Sequence, residues 1–305
     1  MNKSQKILVI LNPVARSERA NSLREKIASL SHQIKLRNTS SPGDARALAA
    51  RAVTQGYETI VAAGGDGTIN EVVNGIAGAG AHVRFGILPI GTMNVFASEL
   101  GIPQNNLVKA WRVIEEGFCR LVDLPRANEE YFVQLAGAGL DAEVVRQTTP
   151  DFKKVLGPMS YLLTLAQVAA RQPPKIRIEP VDGIPREGSF ALVGNGRFYG
   201  GPFVLFKDAR LDDGLLDVLV FKNQSHWDLI RYFQAIIFGS HPALPDVEYF
   251  QSRGLRLTSP EPVPVEIDGE LTGTLPYEFG FSVGKLRVLV PQGLDTANNS
   301  TYVPR

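Results

Sequence analysis

Residues 60–75 read IVAAGGDGTINEVVNG. Four apolar residues run into two glycines, an aspartate, a third glycine and a threonine, and an apolar pattern of helical spacing follows. The first part reads as a buried strand and the last as a helix, so the glycine turn lies at a strand-to-helix junction. Thr68 and Glu71 have the spacing of a capping box, which predicts that the helix begins at Thr68 with Asp66 just outside it.

The same alternation extends in both directions. KILVIL (6–11) is a buried-strand run, and SLREKIASL (22–30) follows with a capping box of Ser22 and Glu25. QIKLRNT (33–39) reads as a second strand. The helix in SPGDARALAARAVTQG (41–56) is expected to have Ser41 as cap, Pro42 at its first position, Asp44 in its first turn and Gly56 at its end. ETIVAA (58–63) is the third strand and VRFGILPI (83–90) the fourth, followed by helical signals in GTMNVFASELG and NLVKAWRVIEEG. Alternating strands and helices predict a parallel sheet. After Pro125 the runs become short, β-branched or aromatic, and bounded by Gly, Pro or Asp, as in KIRIEP, SFALVGNG, LLDVLVF, GLRLTS, YEFGFSV and KLRVLVP. That pattern predicts a mostly antiparallel domain, interrupted by helices near 158–171 and 225–238. The expected fold is therefore an α/β domain over 1–125 and a β-rich domain over 126–290, with a polar tail, 291–305, that frays or packs back on the first domain.

Bulk composition fits two soluble domains. The chain has 305 residues, 44% of them hydrophobic and 21% charged. Lys and Arg number 32 against 31 Asp and Glu, so no overall field favours nucleic acid and any anion site must be built locally. A single cysteine, Cys119, excludes an internal disulfide and points to the cytoplasm; in EGFCRLVDL it reads as a buried, inert strand residue. The four histidines, His32, His82, His226 and His241, stand at no ligand spacing, which argues against zinc. The N-terminus has no signal-peptide pattern, and no apolar run is long enough to span a bilayer.

Glycines at a strand-to-helix junction have a specific chemical use. The first N–H groups of a helix are unpaired and attract anions. Gly64 and Gly65 lack a Cβ, so a ligand can touch the backbone. A carboxylate there would repel a phosphate unless a cation lay between them, and Mg²⁺ is typically held by one or two carboxylates plus substrate phosphates. Gly64-Gly65-Asp66-Gly67-Thr68 thus reads as a nucleoside triphosphate site in which Asp66 reaches the metal directly or through water. The bland account is a tight turn whose Asp bonds local N–H groups. Two further loops repeat the arrangement: Gly91-Thr92-Met93-Asn94 after the fourth strand, and Asn12-Pro13-Val14-Ala15-Arg16 after the first, with Arg16 a candidate phosphate partner. In a parallel sheet all three emerge at the carboxyl edge.

Other patterns point elsewhere and fail. The P-loop pattern is absent. GAGLDA (137–142) resembles a dinucleotide fingerprint, but no acid lies between Asp151 and Glu179, where a ribose partner belongs. No G-x-S-x-G exists, so a hydrolase elbow is unsupported.

NPVAR, GDA, AAGGDGTINEVVNGI, LPIGTMNVFA, DARLDDGLLDV and IDGE, in this order, resemble the diacylglycerol kinase catalytic-domain family, which includes soluble bacterial lipid kinases and sphingosine kinases. The resemblance runs from Lys6 to about Pro291; the glycine turn alone is shared in looser form with NAD kinases and phosphofructokinases, whose type of first domain is implied here. The resemblance implies ATP and Mg²⁺ as cofactors and a membrane lipid as substrate. It places nucleotide contacts at Asn12, Pro13, Val14, Ala15, Arg16, Thr39, Gly64, Gly65, Asp66, Gly67, Thr68, Ile69, Asn70, Glu71 and Thr92. It implies that Asp66 and Asp123 manage the catalytic Mg²⁺. Asp213, with the carbonyls of Arg210 and Leu215, resembles a structural Mg²⁺ site. Glu270 resembles the proton acceptor, with Asp268 beside it. Read without the resemblance, LDDGLLDV is an acidic turn and EIDGEL a hairpin with an Asp-Gly turn. Two departures stand out: Ala15-Arg16 replaces the usual small residue followed by glycine, and Asn94-Val95 replaces the frequent Gly-Asn-Asp ending.

The reading is a lipid kinase acting on diacylglycerol, a sphingoid base or a related lipid, cytoplasmic and peripheral at the inner membrane surface. A kinase of a soluble acceptor such as NAD, and a catalytically silent sensor, are its rivals. PMSYLLTLAQVAAR (158–171), preceded by Lys153 and Lys154, and WDLIRYFQAIIFG (227–239) have apolar faces suited to a membrane interface or to packing on a sheet. A homodimer is left open.

Overall fold

The computed structural model describes residues 6–13, 25–30, 34–79, 83–147, 173–201, 203–293 and 302–303. Val14, Ala15, Arg16, Ser22, Lys153, Lys154 and the expected helix over 158–171 lie outside them. The chain divides into two compact units, one of Met1–Leu124, Gly200–Pro202 and Val283–Arg305, the other of Pro125–Tyr199 and Phe203–Ser282.

In the first unit, β1 (Ile7–Leu11), β2 (Ile34–Asn38), β3 (Thr59–Gly64) and β4 (Arg84–Pro89) pair in parallel in the order β2-β1-β3-β4. Every residue of β1 and β3 is buried, as in a parallel sheet covered on both faces. The sheet then continues through Leu286–Leu289, parallel to β4, through β5 (Cys119–Val122) and through Tyr302–Val303, the last two each antiparallel to the preceding strand. KLRVLVP, read as part of the second domain, thus belongs to the first sheet, and the second unit ends at Ser282 rather than near 290. A strand run carries no label for the sheet it will join. Cys119 is buried on β5, and burial pushes its thiol up.

Helices α1 (Asp44–Thr54), α2 (Asp66–Gly78), α3 (Val95–Glu99) and α4 (Leu107–Glu116) complete this unit. α4 follows simple sequence rules: Asn106 accepts the N–H of Lys109, and Gly117 ends the helix in the left-handed region at φ 73°. The start of α1 does not follow the Ser41 cap, nor that of α2 the Thr68–Glu71 capping box, read from sequence. Gly43, at φ 85°, lets the chain turn into α1 one residue before Asp44, and the Asp44 carboxylate takes the N–H groups of Ser40 and Ser41. Ser41 and Pro42 therefore precede the helix. α2 begins at Asp66 rather than Thr68, with Gly65 as an extended cap. Glu71 does not reach back along its own helix; it accepts the N–H groups of Gly43 (2.9 Å) and Ala45 (3.0 Å) and so caps α1. The two helices cross at Gly75, where a Cβ would lie 2.3 Å from the Arg46 carbonyl oxygen.

The second unit is a sandwich of two six-stranded sheets. Inward residues alternate along the strands: Ile176 and Ile178, Leu255 and Leu257, Tyr277 and Phe279 from one sheet meet Ala191 and Val193, Leu216, Val218 and Val220, Val265 and Ile267 from the other. The opposite side of the second sheet is buried too. Phe190, Leu192, Leu219 and Phe221 cluster there with Tyr232 of helix α6 (His226–Ile237), which explains the uninterrupted apolar run LLDVLVF. α6 starts at the cap Ser225, which forms a capping box with Asp228. Helix α5 (Leu140–Gln147) grows out of GAGLDA.

Candidate active site

In the first unit the carboxyl ends of β1, β3 and β4 lie in register, Leu11 beside Ala63 and Gly64 beside Pro89. Their loops therefore leave one edge of the sheet and touch. The Asn12 side chain donates to the Thr68 hydroxyl at 3.1 Å. A Cβ on Gly64 would meet that threonine at 2.4 Å, and a Cβ on Gly91 would stand 2.4 Å from Cα of Gly65. Two glycine loops can pack backbone on backbone only because neither carries a side chain there. Asn94 sits in the left-handed region at φ 48° and ties the loop after β4 by donating to the Gly91 carbonyl at 2.9 Å. Its amide oxygen is buried without a hydrogen-bond partner.

Asp66 is the first residue of α2, partly exposed, and accepts a long bond (3.4 Å) from the Phe96 N–H at the start of α3. The carboxylate thus stands at the junction of two loops and two helix starts, where N–H groups face outward. The neighbouring expected contacts separate into two sets. Gly65, Gly67 and Thr68 offer backbone at the loop. The Ile69 side chain lies in the core, Asn70 accepts from Asn74 at 3.0 Å, and Glu71 caps α1. Pro13 follows Asn12 and is half-buried, the Thr39 N–H is bonded to the Leu11 carbonyl, and Thr92 is exposed.

Asp123, just past β5, is buried and forms an ion pair of 2.7 Å with Lys285. Sequence reading missed this partner, because Lys285 comes more than a hundred residues later and carries no motif. Among the described residues, no group of three His, Cys, Asp or Glu is close enough to hold a metal.

The second unit carries the remaining candidates. Pro264–Ile267 and Glu270–Thr274 form a hairpin through Asp268 and Gly269, whose φ values of 48° and 86° mark a type I′ turn. The Asp268 carboxylate accepts the N–H groups of Val133 (2.9 Å), Gln134 (3.0 Å) and Leu135 (3.1 Å). It anchors a neighbouring segment, while Glu270 is exposed at the start of the outgoing strand. Asp213 accepts the Leu215 N–H at 3.0 Å, and Arg210 stands 3.5 Å from Asp212. One carboxylate with the carbonyls of Arg210 and Leu215 would be an all-oxygen donor set, the chemistry that suits Mg²⁺. On the strand that follows, Asp217 is fully buried and receives the Tyr249 hydroxyl and the Gln251 amide; burial pushes its carboxyl up to about 6, and Asp213 and Asp208 add to the rise.

Comparison with known proteins places the sequence and the fold. Residues 6–127 match the diacylglycerol kinase catalytic domain, and residues 134–290 match the YegS C-terminal NAD kinase beta sandwich-like domain. The diacylglycerol kinase of Bacillus subtilis (strain 168) is 31% identical over 271 residues, 88% of this chain and 89% of its own length. The chain belongs to the diacylglycerol kinase catalytic-domain family. Members are lipid kinases, phosphotransferases, and the chain is one of them. The diacylglycerol kinase of Staphylococcus carnosus (strain TM300) is 34% identical over 244 residues, 79% of each chain. The crystal structure of a diacylglycerol kinase from Bacillus anthracis str. Sterne superposes with a TM-score of 0.78 at 25% identity, covering 95% of this chain and 98% of that one. A second solved chain from that organism gives 0.82 at 26% identity, covering 95% and 96%. The family's fold, a mostly parallel α/β unit and an antiparallel sandwich, is the one described above.

The contact between the two glycine loops yields a first prediction. Gly91→Ala is expected to cost about 1–3 kcal/mol through overpacking and to weaken ATP binding, because the added methyl must push Gly65 away. Thermal melts and ATP titration check it; unchanged binding would show that the loop contact is not part of the nucleotide site.

Proposed function

We propose that this lipid kinase transfers the γ-phosphoryl group of ATP, with Mg²⁺, to a hydroxyl of diacylglycerol. The observation that carries the nucleotide reading is the meeting of three strand-end loops around Gly65, Gly91 and Thr68, with Asp66 at the helix start beside them. The choice of diacylglycerol rests on the curated relatives, which are named diacylglycerol kinases. Bound Mg²⁺ would neutralise charge on the phosphates during transfer. The residues of this chain have the remaining tasks. Backbone N–H groups of Gly65 to Thr68 hold phosphate oxygens, Asp66 and Asp123 hold the metal, and Asp213 with the carbonyls of Arg210 and Leu215 holds a second one. Glu270 accepts the proton of the lipid hydroxyl. A panel of diacylglycerol, monoacylglycerol and a sphingoid base in mixed micelles tests the acceptor: diacylglycerol should give the highest kcat/KM, and preference for the sphingoid base would overturn the assignment.

Such an acceptor lies in a bilayer, and no helix among the described residues is long and apolar enough to cross one. The reading is therefore of peripheral contact at the inner membrane surface. Helix α6 supports it. Trp227 and Phe238 are 80% and 81% exposed, and Ile230, Phe233 and Ile237 are exposed between them. Ionic groups of the helix are paired: Arg231 bonds Asp228 (2.9 Å) and Asp246 (2.5 Å), and the Tyr232 hydroxyl donates to Asp246. Since burying one such side chain is worth about 1.5–3 kcal/mol, the double variant W227A/F238A should lower vesicle binding about tenfold or more. Activity on a dispersed short-chain diacylglycerol should stay within about twofold. Equal vesicle binding by the two proteins in a sedimentation assay would remove α6 from the membrane contact.

A further inference from the structure

We propose that Asp141 and Glu266 share one proton and together position the turn that presents Glu270. The inference rests on the reading of Glu270 as proton acceptor and assigns a role to two residues that this reading leaves unused.

Glu266 lies one residue before the end of the strand leading into the Asp268-Gly269 turn, and it is 1% exposed. Its Oε2 accepts the Gly269 N–H at 2.7 Å, so its carboxyl closes the turn from below. Its Oε1 is buried with no hydrogen-bond partner among protein donors. An oxygen in that position costs the full desolvation penalty unless something donates to it or it carries a proton itself. The group facing it is another carboxyl. A Cβ added to Gly137 would lie 2.7 Å from Oδ2 of Asp141 and 2.9 Å from Oε1 of Glu266, so both oxygens crowd onto the one bare backbone position that admits them. The other oxygen of Asp141 receives the Tyr199 hydroxyl.

Two carboxylates so placed cannot both be ionised, and one must keep a proton. The surroundings assign it. Burial raises both carboxyls; the negative charges of Asp141 and Asp268 raise Glu266 further, whereas Asp141 is favoured as the anion by the bonds from Tyr199 and Glu266. Glu266 is the acid: Oε1–H donates to Asp141 Oδ2, and Oε2 remains free to accept the Gly269 N–H. Asp141 is the anion, with two donors. The unpartnered oxygen is then satisfied, and the donors converge on the Asp141 carboxylate, Tyr199 from one side and Gly269 through the Glu266 acid from the other. Asp268 holds the same turn from its other side through Val133, Gln134 and Leu135. Deprotonation would place a second negative charge against Asp141, break the bond between the carboxyls and free the turn. Activity should therefore fall as pH rises through the upper titration of the pair.

The test uses the full chain. Infrared spectroscopy should find a protonated carboxylic acid band that persists at mildly alkaline pH in the wild type and is lost in Glu266→Gln. Glu266→Ala should lower kcat about 10–100-fold, as expected when a reacting group is misplaced, with KM for ATP unchanged. Glu266→Gln keeps an N–H donor for Asp141 and a carbonyl for the Gly269 N–H but cannot titrate, so it should recover most of the lost kcat and abolish the alkaline fall. No acid band in the wild type, or an alkaline limb unchanged in Glu266→Gln, would overturn the proposal. If instead Glu270→Gln proves fully active while the band is present, the reading of Glu270 fails and the shared proton stands.

Discussion

Asp66→Asn is expected to lower kcat by about 10³-fold, the order seen when a group stabilising transferred charge is removed. The substitution keeps the shape of the side chain and removes only its charge. Asp66 is the first residue of α2, and its carboxylate accepts the Phe96 N–H at 3.4 Å. An amide carbonyl oxygen can still accept that long bond, so the local fold has little reason to change. What is lost is a negative charge at a helix start, worth about 0.3–1 kcal/mol to the helix. A stability change of that size moves the melting temperature by no more than about 4 °C. Loss of turnover with a preserved melt is therefore the signature of the metal role. Full activity would sink the assignment, and loss of activity with a collapsed melt would assign Asp66 a structural role instead.

Glu270→Gln is the second large effect. A general base contributes about 10²–10⁴-fold, and kcat should fall by that factor while ATP affinity stays within about twofold. The separation follows from the fold. Glu270 belongs to the sandwich unit, on an exposed strand start, whereas the glycine loops belong to the α/β unit. The Asp-Gly turn before it is fixed by Asp268, whose three backbone bonds the substitution leaves intact. A fall in ATP affinity alone would contradict the base role.

Much of the fold was legible because its signals are local. The strand-to-helix junction at the glycine turn, the helix in NLVKAWRVIEEG and the Asp-Gly hairpin at 268–269 each depend on a few adjacent residues, and each formed where it was read. The misreadings came where a local motif had a better partner far along the chain. Glu71 is a sound capping-box residue for Thr68, but the open N–H groups of Gly43 and Ala45 lie nearer in space. KLRVLVP is a sound strand whose register lies with β4 and β5, a pairing that no period-two pattern encodes. The same reason hides the pairs Asp123–Lys285 and Asp141–Glu266. Each unites residues more than a hundred positions apart, and Asp141 stood in a motif that pointed to a dinucleotide and was set aside.

The central claim is phosphoryl transfer from ATP to a lipid hydroxyl. The most direct test incubates the purified protein with γ-labelled ATP, Mg²⁺ and mixed total lipid, beside Asp66→Asn, and follows the label into the organic phase with mass spectrometry of the product. The account predicts label on phosphatidic acid with the wild type only. Label on NAD or another water-soluble acceptor, with none in the organic phase, would contradict it.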